Sequence, residues 1–157
     1  MKVRVLIEDS YGPNFISKLA GKLKQGSYLA HSTAVDCRQY TIYKLNTLLK
    51  SSISPFDRTV ILVDCDGDCN AGNSSMIKSL IEGYGNKKLI PVFLQWEIEE
   101  WICISQGIQI SSGKPSEILT SAYNYKKYHL PRYADKLNID ELQWSSKSFG
   151  DFVNVLI

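Results

Sequence analysis

Asp64-Cys65-Asp66-Gly67-Asp68 places three carboxylates at alternate positions directly after the apolar run Thr59–Val63. Like charges this close disfavour one another's ionisation, at a cost on the order of 1 kcal/mol per neighbour at an effective dielectric near 20. Such a group calls for a cation. Carboxylate oxygens suit a hard divalent ion such as Mg²⁺ (or Mn²⁺) that keeps several of its waters. A capping role at the following helix accounts for one aspartate, and three exceed it. Two more acidic groups end apolar runs: Glu8-Asp9 near the N-terminus and Gln95-Trp96-Glu97-Ile98-Glu99-Glu100-Trp101 in mid-chain. Glutamates opening a helix are also favoured by the macrodipole alone. Trp96 and Trp101 read as core anchors, because tryptophan usually buries a large area.

Other chemistries fit less well. An EF-hand loop wants its glycine two positions beyond Gly67 and a glutamate where Ser75 stands, between helices rather than after a strand. Asp-x-Asp-Gly after an apolar run resembles the nucleophile motif of haloacid-dehalogenase-type phosphatases, but here it lies on about the third strand and the later aspartate pair is missing. Gly113-Lys114 is not a phosphate loop, since Gly107 is one residue too distant and Pro115 replaces the Ser/Thr. Cys65 and Cys69 lack a second ligand pair at zinc-finger distance. His31 reads as a partly buried strand residue and His129 as a surface one. Lys126, Lys127, Arg132 and Lys136 interleave with Tyr123, Tyr125, Tyr128 and Tyr133, a pattern able to grip a nucleic-acid backbone or to form a solvated helix face. Lys18, Lys22 and Lys24 form a second basic patch with the same two readings.

The acids need elements to hold them. Lys2–Glu8, Tyr28–Val35, Thr59–Asp64 and Lys88–Leu94 read as strands. Between them, Pro13 opens a helix with Phe15, Ile16, Leu19, Ala20 and Leu23 on one face, and Gly26 closes it. Further helices are expected over about 38–50, from Asn73 with Met76, Ile77, Leu80 and Ile81 inward, and over 97–105. Alternating strands and helices imply an α/β fold: a mostly parallel sheet of about four strands with helices on both faces. In such sheets ligands bind beyond the carboxyl ends of the strands, where these acids fall. If the first, third and fourth strands neighbour one another, Glu8, the aspartates and one glutamate converge. The last residues form a C-terminal helical appendage (about 111–157) to the core (about 1–110), all within one domain.

The chain has 157 residues, enough for one domain with a sizeable core. Its net charge of +2 announces no nucleic-acid partner. By position, however, residues 1–50 carry +5, residues 51–110 carry −4 and residues 111–157 carry +1. No apolar stretch is long enough to span a membrane, and Met1–Glu8 lacks the apolar core of a signal peptide. The four cysteines are expected to be reduced thiols in a cytoplasmic protein, without disulfides.

Taken together, these residues resemble the Toprim domain, the metal-binding module of topoisomerases, primases and OLD-family nucleases. The likeness lies in Glu8 after the first strand, Asp64-x-Asp66 after the third, and the βαβ order. Small stand-alone prokaryotic Toprim-like proteins offer the nearest pattern, through Glu97-Ile98-Glu99-Glu100-Trp101, Lys114-Pro115-Ser116, Tyr125-Lys126-Lys127 and Ser148-Phe149. The resemblance implies that Glu8 is the general acid/base or a metal ligand, that Asp64 and Asp66 hold Mg²⁺, that Asp68 supports them, and that Glu99 completes a second metal position. It also implies a nuclease or nuclease-like defence component acting on phosphodiesters, with flanking phosphates held by Lys18, Lys22, Lys126, Lys127 and Arg132. One departure bears on this. Asp9 stands where the family has glycine, which favours the alternative of a non-catalytic module that binds nucleic acid or nucleotide phosphate, acting as a homodimer or with a partner protein.

Overall fold

Two runs rich in valine and isoleucine form the centre of the sheet: β1 (Lys2–Ile7) and β3 (Arg58–Asp64). The computed structural model describes residues 1–111 and 113–157. Around the central pair the chain adds α1 (Gly12–Gln25), β2 (Ala34–Gln39), α2 (Ile42–Ser52), α3 (Gly72–Tyr84), β4 (Leu89–Leu94) and α4 (Glu99–Ser105). It ends in α5 (Pro115–Tyr123), a 3-10 helix (Lys127–Lys136), α6 (Ile139–Ser145) and α7 (Lys147–Leu156). All four strands are parallel, in the order β2-β1-β3-β4. The expected α/β class, with helices on both faces and a helical C-terminal part, is what the chain adopts. Among the described residues no helix is long and apolar enough to cross a membrane.

Strand periodicity divides the core between the two faces. Val3, Val5, Ile7, Val60, Leu62, Val92 and Leu94 face α1 and the C-terminal helices. Leu6, Ile61, Val63 and Leu89 face α2 and α3. Trp101 is fully buried in the larger cluster, edge-on to Phe149 at 5.1 Å and beside Phe15 and Phe152, and its indole N–H donates to Ser148 Oγ at 2.9 Å. It is the core anchor that its composition suggests. Three polar clasps tie the appendage down. Lys22 Nζ donates to the carbonyls of Asp135 and Leu137, Arg58 Nη1 to that of Val155, and the Asn138 N–H to Ser105 Oγ.

Four expectations change. The second strand is Ala34–Gln39, not Tyr28–Val35, because Ser27 turns left-handed (φ 63°) and the Tyr28 and Leu29 N–H groups bond back to Leu23 at the end of α1. Leu29 is thereby buried as a hydrophobic cap. The following helix accordingly starts at Ile42 rather than near Arg38. Met76 is 60% exposed rather than inward, and His31 lies exposed in a turn rather than in a strand.

The strand order matters most for the site. From β1 the chain winds outward to β2, then crosses back over β1 to β3 and β4. This reversal between β1 and β3 opens a crevice at their carboxyl ends, the place where α/β sheets bind ligands. The β1–α1 turn is tight there: a Cβ on Gly12 would meet the buried Ile7 side chain at 2.5 Å. Gly12→Ala is therefore expected to destabilise the protein by about 1–3 kcal/mol through overpacking. Urea unfolding measures it, and an unchanged midpoint would contradict the close approach.

Candidate functional site

Adjacent parallel strands deliver the acids to one edge. Leu6 pairs with Ile61, so Glu8 emerges level with Val63, and Asp64 pairs with Leu94 just ahead of the glutamate segment. Glu8, Asp66, Glu97 and Glu99 all lie close enough to act on Asp64. Burial first, then these four carboxylates, push Asp64 up to about 8. Glu8 is raised as well, by burial and by Asp66. Neither the Asp64 nor the Glu8 side chain receives a hydrogen bond or an ion pair among the described residues. Behind them, burial and the same two acids hold the Tyr40 hydroxyl, which donates to the Leu62 carbonyl at 2.8 Å, well above its ordinary range.

The loop after β3 is strongly shaped. Asp66 (φ 49°) and Gly67 (φ 95°) are both left-handed, and a Cβ on Gly67 would meet the Trp96 ring at 2.9 Å. Asp66 and Gly67 donate their backbone N–H groups to the carbonyls of Trp96 and Gln95, at 3.2 and 2.8 Å. Cys65 and Cys69 are joined by a disulfide across this turn, with Cα atoms 4.5 Å apart. The expectation of four reduced thiols is thus corrected, and Cys37 and Cys103 are free. Between this loop and the start of α3 lies a cleft of about 250 Å³, lined by Asp64, Asp66 and Asp68 among others. Larger clefts, about 450 Å³ beside α5 and about 420 Å³ between α1 and α6, hold no comparable group of acids.

Lysines from the appendage enter the site. Lys127 Nζ lies 2.7 Å from Glu99 Oε1, 3.1 Å from Asp9 Oδ2 and 4.0 Å from Glu97 Oε2. Burial pulls Lys127 down, but Glu99 and Asp9 outweigh it and leave the ammonium raised above its ordinary range. Lys114 pairs with Asp66 at 3.1 Å. Glu99 is fully buried. Its Oε1 accepts from Tyr125 Oη at 3.0 Å as well as from Lys127, while its Oε2 has no partner among the described residues.

The sequence-derived site residues separate into three groups. Glu8, Asp64, Asp66 and Glu99 come together, joined by Glu97, whose Oε1 also caps α5 by accepting from the Ser116 N–H at 2.8 Å. Asp68 does not join them: its Oδ1 accepts from the Asn70 N–H, closing the turn before α3. Lys127 faces the carboxylates, and Lys22 is held by the carbonyls of Asp135 and Leu137. Lys18, Lys126 and Arg132 remain exposed. Glu100 serves structure, accepting from the Trp96 N–H and from Ser148. Asp9 accepts from the Tyr11 N–H and pairs with Lys127. As placed, no three His, Cys, Asp or Glu side chains among the described residues enclose a metal ion. The donor set still suits a hard cation, because Glu8 and Asp64 offer carboxylate oxygens with no internal partner and Glu99 Oε2 is orphaned.

The chain matches no protein-family model, no curated protein and no solved structure. The geometry therefore speaks for itself, and it makes two predictions. Folded Asp64 holds its proton up to about pH 8, whereas the unfolded side chain ionises near 3.8. The folded state binds more protons between these values, so stability without divalent ions falls as pH rises from about 5 to 8, with Asp64 alone contributing up to about 1.4 kcal/mol per pH unit. Denaturant unfolding across this range is expected to show that slope, and Asp64→Asn to flatten it. A rising slope in the wild type would contradict the arrangement. Secondly, Lys127→Met strands buried Glu99 and is expected to cost about 2 kcal/mol. Adding Glu99→Gln should return much of that loss in a double-mutant cycle, and additive losses would show that the pair is not coupled.

Proposed function

We infer that the protein is a Toprim-like, Mg²⁺-dependent nuclease or nuclease-like defence component acting on phosphodiester bonds of nucleic acid. One observation carries this reading: Glu8 and Asp64 stand side by side at the switch point between β1 and β3, acidic, half-enclosed and without an internal counter-ion. Asp64 and Glu8, with Asp66 released from Lys114, are the residues that would hold a divalent ion. When bound, that ion supplies positive charge to a phosphoryl oxygen. The Glu8 oxygen that the ion leaves free would take the proton of an attacking water. Lys127 already fills the place beside Glu99 that a second ion would need, so the reading is of one ion and one ammonium. Exposed Lys18, Lys126 and Arg132 supply charge for flanking phosphates.

A non-catalytic module for nucleic-acid or nucleotide phosphate is the second reading. Asp9 favours it, because it brings another anion, bound to Lys127, to the turn where a glycine would let a phosphate approach the backbone. Incubation with single- and double-stranded DNA and RNA under Mg²⁺ or Mn²⁺ separates the two. The nuclease reading expects cleavage by the wild type, reduced at least about 100-fold in Asp64→Ala and Glu8→Gln in line with the loss of general-base and metal functions. Binding without cleavage by the wild type would favour the second reading, and equal cleavage by all three proteins would contradict the site.

A further inference from the structure

The disulfide has no role in the chemistry above, yet it spans the acidic loop. Cys65 follows Asp64 directly, and the cross-link to Cys69 encloses Asp66, Gly67 and Asp68. We propose that this Cys65–Cys69 pair is a thiol–disulfide switch that sets the divalent-ion affinity of the Asp64/Asp66 site. The proposal rests on the ion binding inferred above and adds its regulation.

Two features support it. First, the segment that the bond closes contains two consecutive left-handed residues, a conformation that Asp66 adopts less readily than a glycine does, so the tight turn depends on what holds it. The remaining constraints are the two backbone hydrogen bonds to Gln95 and Trp96, the Asp68 N–H to Cys65 carbonyl bond, the contact of Gln95 Nε2 with the Gly67 carbonyl, the Trp96 ring against Gly67 and the Lys114–Asp66 ion pair at the surface. Opening the disulfide removes the covalent cross-link that closes the loop carrying the Asp66 carboxylate next to Asp64. Secondly, the two sulfurs differ in access. Cys69 is partly exposed, whereas Cys65, at the end of β3 and in the wall of the cleft, is only 5% exposed. An incoming thiolate therefore reaches Cys69 Sγ and expels Cys65 Sγ. Because the cross-link fixes the loop that carries Asp66, ion binding and the closed disulfide favour one another, and by linkage each must alter the other's equilibrium by the same factor.

The exchange balances with a dithiol as co-reactant. A dithiol gives up two electrons and two protons and closes to its own disulfide, while the Cys65–Cys69 bond opens to two thiols. Cys37 and Cys103 are free before and after.

The test is isothermal titration with MnCl₂ on the full chain in two states. One is oxidised. The other is reduced with a phosphine, desalted and kept anaerobic. Alkylation and mass spectrometry first count the thiols in each: two when oxidised and four when reduced, as the pairing requires. The switch predicts that the oxidised protein binds Mn²⁺ at least tenfold more tightly, that Cys69→Ser behaves as the reduced form, and that Cys37→Ser leaves the difference intact. Circular dichroism checks that each protein is folded, and if Cys69→Ser is not, the reduced wild type decides. Equal Mn²⁺ affinity in the two states overturns the switch while leaving the ion site standing. Four thiols in protein exposed to an excess of oxidised dithiol overturn it in the same way. Absence of Mn²⁺ binding in both states overturns the switch together with the ion-dependent function.

Discussion

Parallel strands that share a hydrogen-bond ladder must end side by side, and when two such strands both end in carboxylates the charges are forced together. That constraint governs this molecule. β1 and β3 are neighbours because the chain reverses its winding between them, and their ladder sets Glu8 level with the last residues of β3. β4 then brings Glu97 and Glu99 to the same edge. Burial of the strand ends in the apolar layers leaves little water to screen these groups, so each acid makes the next harder to ionise.

The rest of the site is the response to that repulsion. The C-terminal appendage covers the edge and inserts two lysines, Lys114 on Asp66 and Lys127 among Asp9, Glu97 and Glu99. Two ammonium groups do not balance six carboxylates (Glu8, Asp9, Asp64, Asp66, Glu97 and Glu99), and the deficit falls on Glu8 and Asp64, next to the cleft at the start of α3. The central charge of −4 along residues 51–110 is therefore a local feature of one sheet edge, masked in the total by basic segments on either side. A cation at that edge would relieve the repulsion.

Much of this was legible in the residues. The run Thr59–Asp64 is apolar on both faces and stops on acids, so its place in the sheet interior and the exposure of its end follow from period and composition. The convergence of Glu8 with the aspartates follows once the first and third strands are taken as neighbours. What escaped sequence reading depends on tertiary contacts. β2 is an edge strand with Asp36, Arg38 and Gln39 in its six residues, so it lacks the apolar alternation that announces a strand, while Tyr28 and Leu29 carry that signal and instead cap α1. Lys127 lies 119 residues from Glu8 in the chain, and nothing in its neighbourhood of lysines and tyrosines distinguishes it as the one that turns inward. The disulfide was discounted from the spacing of the four cysteines, but a left-handed turn at Asp66 and Gly67 brings two of them within bonding reach.

The central claim is that Glu8, Asp64 and Asp66 form one cation-binding group at the β1–β3 switch point. A crystal soaked in MnCl₂, with anomalous diffraction recorded above the manganese edge, tests this directly. The account predicts an anomalous peak within coordination distance of Asp64 and at least one of Glu8 and Asp66, with Lys127 still on Glu99. A peak found only at surface carboxylates elsewhere, or none with the crystal equilibrated above pH 8, would contradict it.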